Sequence, residues 1–329
     1  MKRTIGQNVL TRRQMLQWGA ATAAATLAGC KPQASDPLRI AIQPWCGYQF
    51  MSLAAKEGWL PPDVQLMRTS TAVETIRAVE AREVHGAALT LDQTLVLNAV
   101  VPLQVVLVTN VSAGADVLLA RPGIKTLAGL RGKRIGAEST SLGVVMATKM
   151  LEAAGLDASE VQIVEMTEDH FQSWQDLEMD AIITYEPALG RLQELGLVPL
   201  FDTRSLPQTI LDVLAVRRDA VKSHGEQIRA LVAGHFRALH SWRMNPLDAA
   251  YRLAPMLEMP PERVGPAFQG LDLPDENFNR HFLEGPSQEL LQVTVEIAAI
   301  LRRASMMQAP VAAPERMFTA EFLPATAHR

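Results

Sequence analysis

The feature that most limits how this chain can fold is that it repeats itself. Residues 84–92 (VHGAALTLD) align without gaps on 178–186 (EMDAIITYE). Each runs through small or apolar residues to a Thr, an apolar or aromatic residue and a carboxylate. Residues 116–121 (DVLLAR) align in the same way on 212–217 (DVLAVR). Two echoes in consistent order imply a duplicated α/β lobe. The second pair would supply the strands by which the chain enters and leaves the second lobe.

The segments between the echoes support this. Residues 38–42 alternate as a first strand, with further strands at 64–67, 87–89 and 105–108 and helices at 50–56, from Thr71 and at 92–100. Thr71 and Glu74 have the spacing of a capping box. The pattern restarts with strands at 132–136, 161–164 and 181–183 and helices at 142–154 and 169–177. Strands alternating with helices predict mostly parallel sheets flanked by helices. Asn98, Pro102 and Gln104 interrupt the apolar stretch 95–108, so it reads as a helix followed by a buried strand. After residue 218 helices are expected at 228–242, 246–257 and 289–302, returning to pack on the first lobe.

The N-terminus is an address. Residues 1–29 carry four basic residues and no acid, and an apolar run over 18–28 is too short to span a bilayer as an ordinary helix. Residues 11–16 (TRRQML) resemble the twin-arginine export motif, with Met15 where Phe is usual and Gln17 where Lys is usual. Residues 27–30 (LAGC) resemble the bacterial lipobox, which implies acylation of Cys30 and a lipid-anchored protein outside the cytoplasmic membrane. Either twin-arginine or general secretion would serve, and Lys31 leaves the final membrane open. Without the leader, 27 basic face 35 acidic residues, a net charge of −8. That excess argues against a nucleic-acid partner. Two cysteines, Cys30 and Cys46, exclude a disulfide framework and a Cys-based zinc site.

Five ordered segments carry a family resemblance: 43–48 (QPWCGY), 89–92 (LTLD), 111–116 (VSAGAD), 130–134 (LRGKR) and 184–187 (TYEP). Together they resemble the nitrate/sulfonate/taurine-type substrate-binding proteins of ABC importers, related to thiamine-pyrimidine binders. The resemblance spans about residues 38–275. It implies a two-lobed periplasmic-binding-protein fold of type II with two hinge crossovers, and a small molecule clamped between the lobes. Expected boundaries are a leader over 1–29 and a tether over 30–37. Lobe 1 would comprise 38–115 and 218–329, and lobe 2 residues 116–217. Implied partners are ABC permease and ATPase subunits and, through Cys30, a lipid bilayer. The protein is expected to be a monomer, without cofactor or metal.

Matching motifs place Trp45, Gly47 and Tyr48 in the first strand-to-helix loop, Thr90 and Asp92 at the end of the third strand, and Ser139, Thr140 and Ser141 at the first helix of lobe 2. Tyr185 and Glu186 fall in that lobe's matching loop. Such loops are where open α/β sheets take ligands. Trp45 and Tyr48 either stack on a ligand or plug the lobe surface. Thr71 reads first as an N-cap, and Asp92 as N-cap or contact. Asp116 and Asp212 either face the ligand or only fix strand ends. Helix N-termini would suit an anion. Asp92, Asp116 and Glu186 pull the other way, toward a planar or apolar ligand with an amine or amide donor. Cys46 stands where the family has Pro and reads as a small neutral residue. His85 stands where Asp is usual and is expected at the surface.

Catalytic constellations are missing from the sequence: there is no Gly-x-Ser-x-Gly elbow or Walker loop, and His235 and His240 lie five apart, off a shared metal-binding face. The expected role is binding rather than catalysis, either as an importer's receptor or as a ligand sensor for a membrane signalling protein.

Overall fold

Two mixed sheets organise the protein, seen in a computed structural model that describes residues 36–285 and 287–325. The leader, Cys30 and most of the tether lie outside the described residues. The first lobe opens with β1 (Leu38–Ile42), α1 (Gln49–Lys56), β2 (Val64–Arg68), α2 (Ala72–Glu80), β3 (Gly86–Thr90), α3 (Leu91–Asn98) and β4 (Leu103–Ser112). The second lobe follows as β5 (Val117–Ala120), β6 (Arg134–Glu138), α4 (Ser141–Ala154), β7 (Gln162–Met166), α5 (His170–Asp176), β8 (Ala181–Thr184), α6 (Ala188–Glu194) and β9 (Val198–Asp202). The chain then returns through β10 (Leu211–Arg217), α7 (Arg218–Ser223), α8 (Gly225–Met244), α9 (Pro246–Leu257), α10 (Pro261–Ala267), β11 (Leu271–Asp272), α11 (Glu276–Leu283) and α12 (Gln288–Arg303). Among the described residues no helix is long and apolar enough to cross a membrane.

Sheet order is β11-β4-β10-β3-β1-β2 in the first lobe and β7-β6-β8-β5-β9 in the second. Strands β1, β2 and β3 are parallel, as are β6, β7 and β8. The exceptions are the repeated DVL segments and the two-residue β11, which is antiparallel to β4. β5 runs antiparallel between β8 and β9, and β10 antiparallel between β3 and β4. So β10, expected at the end of lobe 2, pairs wholly within the first sheet. Asp116 immediately precedes β5, and Asp212 is the second residue of β10. That places Asp116 and Asp212 at the edge where the neighbouring parallel strands end, which is the cleft edge.

Local chemistry explains the helix starts. Thr90 caps α3 in a full capping box with Gln93. Thr71 caps α2 by accepting from the Glu74 N–H, while Glu74 reaches back to the Ser70 N–H (2.7 Å) instead of to Thr71. Thr140 caps α4, which ends at Gly155 in the left-handed region (φ 63°), a conformation costly for other residues. The fully buried β3 and the almost fully buried β4 are covered on both faces, as central strands under helices require.

Two expectations give way. His85 is buried, 6% exposed, because it lies at the start of β3 where its Nδ1 accepts the Arg39 N–H at 3.0 Å and its ring packs on His224 (4.4 Å between centroids). The helices after residue 218 do not serve lobe 1 alone. α8 packs on α1, but α12 packs equally on α3 of lobe 1 and α4 of lobe 2. There the largely buried Lys149 of α4 pairs with Glu296 of α12, and with Glu152 at 3.3 Å. Burial opposes the Lys149 charge, but the two carboxylates outweigh it and raise its pKa.

Candidate ligand-binding site

Between the lobes lies a cavity of about 160 Å³, walled by loops at the carboxyl ends of strands from both sheets. Lobe 1 contributes Trp45, Tyr48, Thr90 and Asp212, and lobe 2 contributes Glu138, Glu168, Tyr185 and Glu186. A second, more open cleft of about 720 Å³ adjoins it, with Trp45 and Glu186 common to both walls. The Trp45 and Tyr185 rings meet edge to face across the lobes, 5.5 Å between centroids.

On the lobe 1 side everything converges on Asp212, which is 2% exposed. Trp45 Nε1 donates to its Oδ2 (3.1 Å), Asn110 Nδ2 donates to the same oxygen (2.7 Å), and the Tyr48 hydroxyl donates to Oδ1. Burial pushes the Asp212 carboxyl up to about 7 despite these donors, with Asp116 and Asp92 adding repulsion. The Tyr48 hydroxyl is raised well above its usual value by burial and by that carboxylate. Gly47 makes the arrangement possible, because a Cβ there would stand 1.6 Å from Asn110 Oδ1.

On the lobe 2 side the centre is Glu138, at the end of β6. It accepts from Tyr185 Oη (2.6 Å) and Thr140 Oγ1 (2.8 Å), and shares a 2.6 Å hydrogen bond with His170 Nε2. Burial opposes ionisation, yet His170 first and then Tyr185 and Thr140 hold Glu138 below the usual carboxylate range. Thr184 Oγ1 holds the other nitrogen of His170 at 3.0 Å. Beside the cavity, two hydrogen bonds cross between the lobes. Ser141 Oγ donates to Asp92 Oδ2 at 2.5 Å, and the Ala72 N–H at the start of α2 donates to Glu168 Oε2 at 3.1 Å.

This architecture has relatives. The pattern of the family described as NMT1/THI5 like matches residues 52–249, more than half of the chain. The chain belongs to the NMT1/THI5-like family. No curated protein sequence matches it. Solved structures share its fold at low identity. The periplasmic aliphatic sulphonate binding protein SsuA from Escherichia coli is 18% identical, with a TM-score of 0.71 over 88% of this chain and 99% of that one. The alkanesulfonate-binding protein SsuA from Xanthomonas axonopodis pv. citri, bound to MOPS, is 15% identical, with a TM-score of 0.69 over 85% and 97%. The desulfurization enzyme DSZB is 16% identical, with a TM-score of 0.63 over 88% and 98%.

In this NMT1/THI5-like protein, Trp45, Tyr48, Thr90, Asp116, Tyr185 and Glu186 line the cavity. Asp92, Thr140 and Ser141 lie just behind its wall and act on its carboxylates or across the lobes. Gly47 and Thr71 are off the wall, one making room for Asn110 and the other capping α2. Ser139 lines a separate surface pocket of lobe 2. Cys46 is buried, and burial first, then the Glu186 charge, pushes its thiol up to about 12. Sequence reasoning missed Asn110, Glu138, Glu168 and His170. Only Glu138 carried a usable signal, as the acid closing a predicted parallel strand.

Proposed function

We propose that the protein is an exported solute-binding lipoprotein, anchored through Cys30, that captures a small planar or amine-bearing organic molecule between its lobes and delivers it to an ABC importer. The observation that carries this reading is the interlobe cavity, walled by aromatic and carboxylate side chains from both sheets. Its volume of about 160 Å³ fits a ligand of modest size, below the range of drug-sized sites. Residues 38–115 with 211–329, and 116–210, would be the bodies that close on it. Family membership and the fold shared with periplasmic sulfonate-binding proteins support a receptor role. The desulfurization enzyme has the same fold, but here a thiol held at about 12 is a poor nucleophile, which favours binding over catalysis.

Native mass spectrometry of the chain from Lys31 onward, followed by denaturation, tests the reading. A stoichiometric compound released on unfolding is expected. Trp45→Ala should weaken its binding by about 1–3 kcal/mol if the indole packs on it. A protein that retains nothing and binds no small molecule from a charged and neutral panel would overturn the receptor role.

A further inference from the structure

The cavity wall is one-sided in charge. Asp116, Glu138, Glu168, Glu186 and Asp212 line it, and among the described residues no Lys or Arg does. More telling is where the donors go. An oxyanion ligand needs N–H and O–H groups or a helix N-terminus, and here carboxylates of the chain itself occupy them. Tyr48, Trp45 and Asn110 are turned to Asp212. Tyr185, Thr140 and His170 surround Glu138, and Ser141 serves Asp92. Even the first N–H of α2 is taken, by Glu168 from the opposite lobe.

Asp116 is in the reverse condition. It lines the cavity while only 3% exposed, and among the described residues no ion pair reaches it. Burial pushes its carboxyl up to about 6, outweighing a side-chain hydrogen bond with Ser112 and the nearby His170, which favour the carboxylate. Among the described residues His170 is the one basic side chain in the Glu138 network, against five lining carboxyls. A buried carboxylate without a counter-ion is costly. Besides the side chains of Gln43 and Ser70, what the wall still offers a ligand is acceptor oxygens and the faces of Trp45 and Tyr185, a balance that favours a cation.

We infer that the ligand is a small organic cation, an ammonium or amidinium whose N–H groups are received by Asp116 and the carboxylates around it, and that simple sulfonates and carboxylates are refused. This rests on the solute-binding reading above. The positions an oxyanion would use are thereby filled largely from within the chain.

Isothermal titration of the protein with benzylammonium, benzamidinium and 1,4-diaminobutane, against benzyl alcohol, ethanesulfonate and propionate, tests it. At least one cation should bind ten-fold or more tightly than benzyl alcohol, with no binding of the two anions. Asp116→Asn should weaken cation binding at least ten-fold without lowering the melting temperature, separating lost charge from lost folding. Binding of ethanesulfonate or propionate with the cations silent would overturn the cation assignment and leave the receptor role intact. Silence across the panel, with nothing retained in the mass spectrum, would overturn both.

Discussion

Asp116 and Asp212 hold equivalent places in the two halves of the duplicated framework, and their surroundings have diverged. Each stands at the start of a reversed strand seated beside the strand of the other echo, β5 beside β8 and β10 beside β3. Asp212 has drawn in three donors, two from the loop after β1 and one from β4. Asp116 faces the cavity with a neighbouring hydroxyl. The backbone repeat fixes where a carboxyl must stand, and the residues around it decide whether that carboxyl builds the wall or waits for a ligand.

The largest effect should come from breaking this asymmetry. Asp212→Ala leaves Trp45, Tyr48 and Asn110 without their acceptor in a buried site, a loss of about 3 kcal/mol and a fall in Tm of roughly 5–10 °C. Asp116→Ala removes a buried uncompensated acid and should raise Tm by about 1–3 °C. Calorimetry giving both variants the same sign would dissolve the comparison.

The pH profile of the ligand-free protein sharpens it. Both acids bind a proton more tightly when folded, about 6 and about 7 against 3.8. Their contribution is therefore lost as pH rises from about 4 through 6 to 7. The groups facing Asp212 are Tyr48, Trp45 and Asn110, with Asp116 and Asp92 nearby. His235 works in the opposite sense. Neither ring nitrogen has a hydrogen-bond partner, and burial first, then the Arg243 charge, holds it at about 3 against 6.5, so stability is lost as pH falls from 6.5 to 3. The two windows overlap between about pH 4 and 6.5, where two acids outweigh one histidine, so urea midpoints measured across pH should peak near pH 4. Asp116→Asn with Asp212→Asn should flatten the upper limb, and His235→Leu the lower one.

The smallest effect lies farthest from the acids. Lys149→Met removes the pairing of α4 with α12 that spans the lobes, costing about 0.5 kcal/mol and roughly 1 °C in Tm. No change in Tm would mean this ion pair adds nothing to holding the lobes together.

Much of this framework is legible in the sequence. The gapless echoes marked β3 with β8 and β5 with β10, and Thr71 caps α2 as its spacing predicts, whereas Thr90 and not Asp92 caps α3. The cavity is only half legible. Trp45, Tyr48, Tyr185 and Glu186 follow from the strand-end rule, but Glu168 gains its role only because closure brings it onto α2. Asn110 sits inside a long strand whose pattern reports burial and nothing of the partner across the loop. β9 (Val198–Asp202) escaped because Pro199 interrupts the strand pattern, and its edge position tolerates the missing N–H. His85 misled because a histidine beside charged neighbours reads as exposed, whereas the parallel β1–β3 pairing draws it inward.

The position of β10 also sets an order of events during synthesis. All five strands of the second sheet have been made once residue 202 emerges, so that sheet can close from its own contiguous segment. β3 and β4 appear more than a hundred residues earlier than the strand that must fit between them. The N-terminal half therefore waits with an open seam until Leu211–Arg217 arrives, and the middle of the chain can reach its native pairing before the beginning does.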